Sequence, residues 1–447
     1  MHRSVITKRR TSVADRNSIQ NKLVTMRLCA LLLAPVGPCF MSTPALAQAG
    51  HLDSTFGRAG EVVTNVPGPS TAIANAMAIQ SDSRIVVAGG LGEGQAVGLV
   101  RYDTNGTLDS TFGKGGITIA NINNNILSSA TGVAIQSDGK IVAGGTVYTV
   151  TSPNAVIDLG VVRFNANGSM DSSFGAGGVV RALPFNSTRC GGGPLALQPD
   201  GKILLAGGCS SASRINFTSF STIIRLNTNV SLDMTFGVGG AAVIAEAPSA
   251  MVLQSDGKIL IAGGGSVSRY NSNGSVDLTF GIFGSVGSIG TSAALAVQSD
   301  GKILVAGTFS DQLSTVPDGD FALVRYNTDG TVDESFGKRG GALADFFTGT
   351  SSAAAVAIAV QLNGDIVVGG KASQGNNVSQ FAVTRFTSLG ILDLTFGTGG
   401  VVTTSFGETD SIAAIALQPD GKIVAAGNSL NVTTSNDAFA LARYIAP

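Results

Sequence analysis

Any chemistry in this 447-residue chain would have to proceed almost without histidine, since only His2 and His51 are present. That removes Ser–His–acid triads and His-based metal sites unless His51 acts alone. No glycine-rich loop has the Walker or dinucleotide spacing with its helix. What recurs is an arginine followed eight residues later by an aspartate: Arg101 and Asp109, Arg163 and Asp171, Arg225 and Asp233, Arg269 and Asp277, Arg325 and Asp333, Arg385 and Asp393. Arg443 finds its counterpart only in Asp53, near the other end of the chain. A planar guanidinium and a carboxylate suit a partly buried clamp. A pair repeated in every unit reads as a structural lock, not as seven active sites. Glycoside hydrolysis needs only two carboxylates, so loop acids such as Asp318 and Asp320 keep a His-independent, carbohydrate-active enzyme open as the alternative. The turn around Asp329 and Asp333 has acids at calcium-loop spacing. Most copies carry amides instead, as at Asn165 and Asn167, so a turn needs no ion and no metal or cofactor is expected.

The elements that position these residues come in a repeat of about 56 residues, since Asp82 and Asp420 lie 338 residues and six steps apart. Each unit opens with an apolar run into Gln, a tight turn and a second apolar run. The turns are Asp-Gly-Lys at 138–140, 200–202, 256–258, 300–302 and 420–422, with Asn-Gly-Asp at 363–365 and Asp-Ser-Arg at 82–84. An alternating segment ending in Arg plus a bulky residue follows, then Asp-x-Thr/Ser-Phe-Gly and a glycine-rich entry to a last short apolar run. Gly and Asp tolerate positive φ, so the first two runs form a hairpin. Four Val/Ile/Phe-rich strands per unit, here called a to d, make a propeller blade. Segments 293–298, 302–306, 321–326 and 399–404 are examples, although the Leu-Asp-x-Thr-Phe segment could itself be the outer strand. The seven motif phenylalanines from Phe56 to Phe396 read as core plugs.

The ends decide how the array finishes. Residues 52–64 hold a Phe-Gly motif and strand d with nothing before them, while 414–444 hold strands a, b and c with no d after them. Together they make one blade. The fold expected is therefore all-β: a seven-bladed propeller of four-stranded blades in residues 48–447, closed by the N-terminal outer strand joining the C-terminal blade. Closure hides both sheet edges, which an open array would have to protect.

Composition bounds the partners. Only 13% of residues are charged, about half the usual ~25%. Beyond Arg27 the chain holds 21 basic against 28 acidic groups, so it lacks the basic footprint of a nucleic-acid binder. Residues 27–39 pair a positive flank with a short apolar run, and Ala45-Leu46-Ala47 follows before Gln48. That is the pattern of a secretory signal peptide over 1–47, with Met26 as an alternative start. The run is too short for the ~20 residues of a membrane span. The chain is thus expected to be exported: periplasmic, secreted or at the cell surface. Export permits oxidation, and Cys190 and Cys209 flank the third a–b hairpin. Counting from its turn pairs position 190 near 211 and 209 near 192; a cross-strand disulfide and two free thiols both stay open.

The combined motif A-[IL]-x-Q-x-D-G-K-I-[LV]-x-A-G … R-[YF]-N-x-[ND]-G-x-[LV]-D-x-[ST]-F-G resembles the delta-60 repeat of bacterial exported proteins over 52–444. That resemblance implies a propeller-like fold and no activity. Val230 in place of the turn glycine, Ser83 in place of glycine in the first unit, and the 363–365 turn depart from the pattern.

Alternation of strand direction puts a–b and c–d turns on one face and the b–c and d–a connections on the other. The first face repeats; the second varies, and varied loops on a rigid scaffold are where binding resides. Candidate ligand-face residues are Tyr148, Arg214, Phe217, Phe220, Phe309, Asp311, Asp318 and Asp320. The reading is a binding or interaction module with no identifiable catalytic centre, not an enzyme, holding a protein or glycan ligand as a monomer. A surface or matrix scaffold is the remaining alternative. The lack of Trp weakens sugar stacking, but Tyr and Phe remain.

Overall fold

The computed structural model describes residues 48–446, apart from 67–70, 93–95, 121–124, 152–153, 213–216, 289, 311–318, 348–350, 375–377, 408 and 432–435. The leader reading of 1–47 lies outside the described residues. In the first blade, strands Ala72–Ile79, Ile85–Leu91, Ala96–Tyr102 and Ile117–Ala120 pair antiparallel in chain order. The same four-strand order recurs over 125–182, 189–244, 250–287, 291–344 and 351–404, here blades 2 to 6. Blade 7 is composite, with strand Glu61–Thr64 beside Asn436–Tyr444 in register Glu61 to Ala442 and Thr64 to Phe439. The chain is an all-β, seven-bladed propeller.

Two details differ from seven separate four-stranded sheets. Single parallel bridges, Arg189 to Ile157 and Gly319 to Ser352, stitch blade 2 to 3 and blade 5 to 6. The outer strand is the run after the glycines; the Leu-Asp segment makes only isolated bridges, such as Leu108 to Tyr102.

The tight turns work as the sequence demands, even where glycine is missing. Gly139 has φ 81°, and Ser83 and Val230 take the same left-handed backbone at 67° and 68°. The departures therefore strain individual turns without abolishing them.

Middle strands are buried on both sides, as Ile85–Leu91 and Ala96–Tyr102 are throughout, because blades pack face to face. The core is accordingly divided into interblade layers, each holding one motif phenylalanine that is 0–1% exposed. An open array of seven units would have six such layers. Here a seventh packs Val424, Ala426, Phe439 and Leu441 of blade 7 onto Ile85, Val87 and Val100 of blade 1. Across that seam Asn428 Nδ2 donates to Ala74 O at 3.1 Å, and Ala74 N–H donates to Asn428 Oδ1 at 2.6 Å.

Closure reaches further back than residue 52. Blade 7 has no c–d turn of its own, and residues 49–53 stand in for one. Gly50 N–H donates to Ile445 O at 2.7 Å and Asp53 N–H to Arg443 O at 2.8 Å, while Ala49 O accepts from Gly397 N–H of blade 6 at 2.8 Å. Other blades use their own turn for that last bond, as Asn105 O does for Gly57 N–H.

Candidate functional site

The repeated arginines end strand c and the aspartates open the turn behind it, so hairpin geometry brings each pair together. Arg Nε donates to Asp Oδ2 at 2.7–2.9 Å in all seven copies. Asp Oδ1 accepts from the backbone N–H and hydroxyl of the Thr or Ser two residues on, as at Thr55 and Ser173. The guanidinium lies 4.4–5.0 Å over the motif phenylalanine ring, a cation–π contact in a desolvated site. In five copies Nη1 crosses to a carbonyl of the next blade, as Arg325 donates to Ser388 O at 2.7 Å and Arg443 to Thr104 O, whereas Arg385 Nη1 has no hydrogen-bond partner among the described residues. Six carboxylates also meet the cation of the a–b turn, for example Lys140 to Asp171 at 3.0 Å, Lys422 to Asp53 at 3.2 Å and Arg84 to Asp109 at 3.4 Å. Blade 6 is the exception, because Asp365 occupies the lysine position.

These groups are chemically spent. Hydrogen bonds from Ser173 and Thr235 hold Asp171 and Asp233 well below the usual carboxylate range. At Asp53 burial pushes the carboxyl up, but bonds from Thr55, Lys422 and Arg443 outweigh it and hold it at about 2. Asp333 is engaged by Lys302 at 2.8 Å and Arg325 at 2.7 Å, and Asp329 Oδ1 accepts from Thr331 N–H at 2.9 Å. Among the described residues no group of three or more His, Cys, Asp or Glu could hold a metal ion.

The variable face carries a cavity of about 940 Å³ over blades 2 and 3. Tyr148, at the far end of strand Ile141–Thr151, and Phe220, on strand Phe217–Leu226, both line it. Between them stands Arg189, which opens strand Arg189–Leu197 and is exposed. Among the described residues its side chain makes no ion pair or hydrogen bond. Thr146, Ser210, Ser219 and Ser221 add hydroxyls, and no described lining residue is acidic. The wall includes Cys209, disulfide-bonded to Cys190 with Cα atoms 4.1 Å apart. Turn counting alone misaligns the two cysteines by two positions. One position comes from the turn itself, which pairs Leu197 with Ile203, and the other from a one-residue bulge between Gly192 and Leu195, which sets Cys190 directly opposite Cys209.

The other candidates are dispersed. Phe309 and Asp320 face each other in register on blade 5 and do not line this cavity. Arg214, Asp311 and Asp318 lie outside the described residues, and of Phe217 only the backbone is described. The repeated face also has openings, one of about 920 Å³ around Gln198, Gln254 and Gln298. Its cations are paired, however, as Lys258 is with Asp256 at 3.4 Å and Asp277 at 3.3 Å.

The profile described as "Domain of unknown function (DUF5122) beta-propeller" matches residues 80–112, 136–174, 198–236, 254–280, 298–336, 361–396 and 418–444, one stretch per repeat. The chain belongs to the DUF5122 β-propeller family. None of the curated proteins matches it. Solved structures similar to it include a protein of unknown function from Bacteroides caccae, 14% identical over 72% of this chain and 98% of that one, with TM-score 0.36. An α-L-arabinofuranosidase from Fusarium graminearum is 9% identical over 89% and 97%, with TM-score 0.37. An α-L-arabinanase from Penicillium chrysogenum is 9% identical over 88% and 96%, with TM-score 0.38. None is close enough to bear on the chemistry of this chain. Each DUF5122 stretch opens at or beside the strand-a glutamine and ends at the motif phenylalanine or, in the last, at Tyr444. The family pattern thus covers the clamp and leaves Arg189 outside it. Sequence reasoning missed Arg189 because it weighed b–c loops and overlooked the start of strand a; its signal was a cation beside Cys190.

Proposed function

We propose that this DUF5122 propeller is an exported binding module that holds an acidic glycan in the variable-face cavity. One observation carries the reading: exposed Arg189 has no ion pair among the described residues and stands between Tyr148 and Phe220 in a cavity with no described acid in its lining. An arginine fork recognises a carboxylate, flat aromatic faces suit the C–H side of a pyranose, and the hydroxyls of Ser210, Ser219 and Ser221 suit sugar hydroxyls. The absence of two carboxylates from the described lining favours binding over glycoside hydrolysis. The Ala45–Ala47 pattern and the Cys190–Cys209 disulfide support export, with a mature chain beginning at Gln48. The combined repeat motif supports placement with the delta-60 proteins.

Titration calorimetry with oligogalacturonides and their neutral methyl esters tests the site. A charge-assisted hydrogen bond contributes about 1.5–3 kcal/mol, so Arg189→Gln should weaken binding of the acid about 10- to 100-fold. It should leave any binding of the ester nearly unchanged. Equal affinity of parent and variant for the acid, or no binding by the parent, refutes the reading.

A further inference from the structure

The turn into every outer strand reads Phe-Gly-x-y-Gly, and residue y takes a left-handed backbone each time, with φ 62° at Gly115, 64° at Gly239 and 66° at Gly399. Blade 4 places Phe283 there at φ 53°, a backbone that a β-carbon disfavours. Its side chain is 86% exposed, so no core packing accounts for it. Beside it Ile282 and Leu278 are 77% and 70% exposed, and on blade 3 Val238 and Met234 are 76% and 70% exposed. The two groups adjoin, because Gly237 N–H in the blade 3 turn donates to Asn273 O of blade 4 at 2.8 Å. At the same turn, blade 5 presents Lys338 and Arg339, and blade 1 presents Lys114 beyond the small Ala176 of blade 2. These three cations are exposed and make no ion pair among the described residues. No acid occupies position x or y in any blade, and at the position of Met234 and Leu278 the one acid is exposed Glu334 of blade 5, where Lys338 and Arg339 leave the turn net positive.

We infer that this arc of turn tips, apolar over blades 3 and 4 and basic at both flanks, docks the protein on the interface of an anionic lipid bilayer. The tips stand outward at equivalent places on successive blades, an arrangement that suits a plane without shape of its own. Exposed Phe, Ile, Leu and Met sink into the headgroup boundary while flanking Lys and Arg meet anionic headgroups. The arc lies with the c–d turns, at the opposite end of the blades from the Arg189 cavity, and stands independently of the glycan reading. No helix among the described residues is long and apolar enough to cross a membrane.

The chain has no tryptophan, which gives a clean test in the full-length protein. Phe283→Trp places the sole indole at the tip. With vesicles of phosphatidylcholine and phosphatidylglycerol its emission should shift to the blue and be quenched by brominated acyl chains. The double variant Ile282→Ser/Phe283→Gly should partition on the order of tenfold less. Its thermal midpoint should not fall below the parent's, since glycine fits that backbone. An emission unchanged while vesicles sediment the protein overturns the inference, because the basic residues up to Arg27 alone would then do the binding. So does an absence of partitioning. A blue shift that follows protein concentration without vesicles also overturns it and names a second copy as the occupant.

Discussion

Closure of the ring rests on residues 390 positions apart, and a double-mutant cycle measures it. Arg443 and Asp53 are each 4% exposed. Arg443 Nε and Nη2 lie 2.9 and 2.8 Å from Asp53 Oδ2, Lys422 Nζ lies 3.2 Å away, and the guanidinium covers Phe56 at 4.6 Å. Asp53→Ala leaves a buried guanidinium with the Thr104 carbonyl, Gln418, the Thr55 hydroxyl and the Phe56 face around it, and no counter-charge. Removing one partner of a buried pair costs about 3–5 kcal/mol. Arg443→Ala should sit at the low end, near 3, because Lys422 still reaches Asp53. The double variant loses the pair once, so the two should couple by roughly 2 kcal/mol. Unfolding entropy is about 2.1 cal/mol/K per residue, or ~0.8 kcal/mol/K for the ~400 residues from Gln48 onward, so a 4 kcal/mol loss lowers the midpoint by about 5 °C. Arg225→Ala, which belongs to the layer between blades 3 and 4, is the control and should add to Asp53→Ala within about 0.5 kcal/mol. Calorimetric or circular-dichroism melting of the three single and two double variants reads the result. Additivity of Asp53 and Arg443, or equal coupling to Arg225, would refute a ring held at this seam.

Three further outcomes are expected. The clamp aspartates titrate below their unfolded value of about 3.9, so their stabilisation is complete above that pH and drains as pH falls toward about 2. Buried Asp158 and half-buried Glu61 and Asp437, pushed up by desolvation, have the opposite sign and gain on protonation. The melting midpoint should therefore hold between about pH 7 and 5 and drop steeply below about 4; a main loss above pH 5 contradicts this. Cys190→Ser with Cys209→Ser opens a loop with a separation of 19 residues, which the loop-entropy relation sets at about 3 kcal/mol; an unchanged denaturant midpoint would count against the disulfide. Ser83→Gly relieves a left-handed backbone at φ 67° and should stabilise by roughly 1 kcal/mol, with a fall in midpoint showing that the turn is unstrained.

What could be read from the residues followed from how local the cause was. Strand order, hairpin turns and the a–b–c–d grouping depend on neighbours in sequence, so Asp-Gly turns and alternating runs were enough. Closure was legible because 52–64 and 414–444 are complementary fragments. The Arg–Asp spacing pointed to a pair, but the rest of the clamp was not visible: the Phe ring beneath it, the turn lysine above it and the carbonyl of the next blade are brought together only by blade stacking. The role of Ala49 was hidden for the same reason, since its carbonyl serves blade 6 through space. At the variable face the limit was finer still. A one-residue bulge at Gly192 to Leu195 decides where Cys190 and Arg189 point, and glycine-rich sequence does not announce where a bulge will fall.

Repetition also supplies its own control. A residue type kept in every blade is accounted for by the layer it closes, and the clamp aspartates are taken up by their arginines and by the Thr or Ser two residues on. Departures have no such account. Arg189 stands where other blades open strand a with Thr, Ala, Ser or Asn, and Phe283 sits on a backbone that five other blades fill with glycine or alanine. Blade 6 departs as well: Asp365 removes the cation from Asp393, and Leu362, at the position of Ser81 and Ser137, stands fully exposed. Burial cannot favour an exposed leucine, nor does the fold need an acid at residue 365, since six blades close with a cation there. Where sequence, backbone preference and packing agree, stability is sufficient explanation. Where a single blade breaks the pattern, as Phe283 does at φ 53° and 86% exposure, neither packing nor backbone preference accounts for the residue.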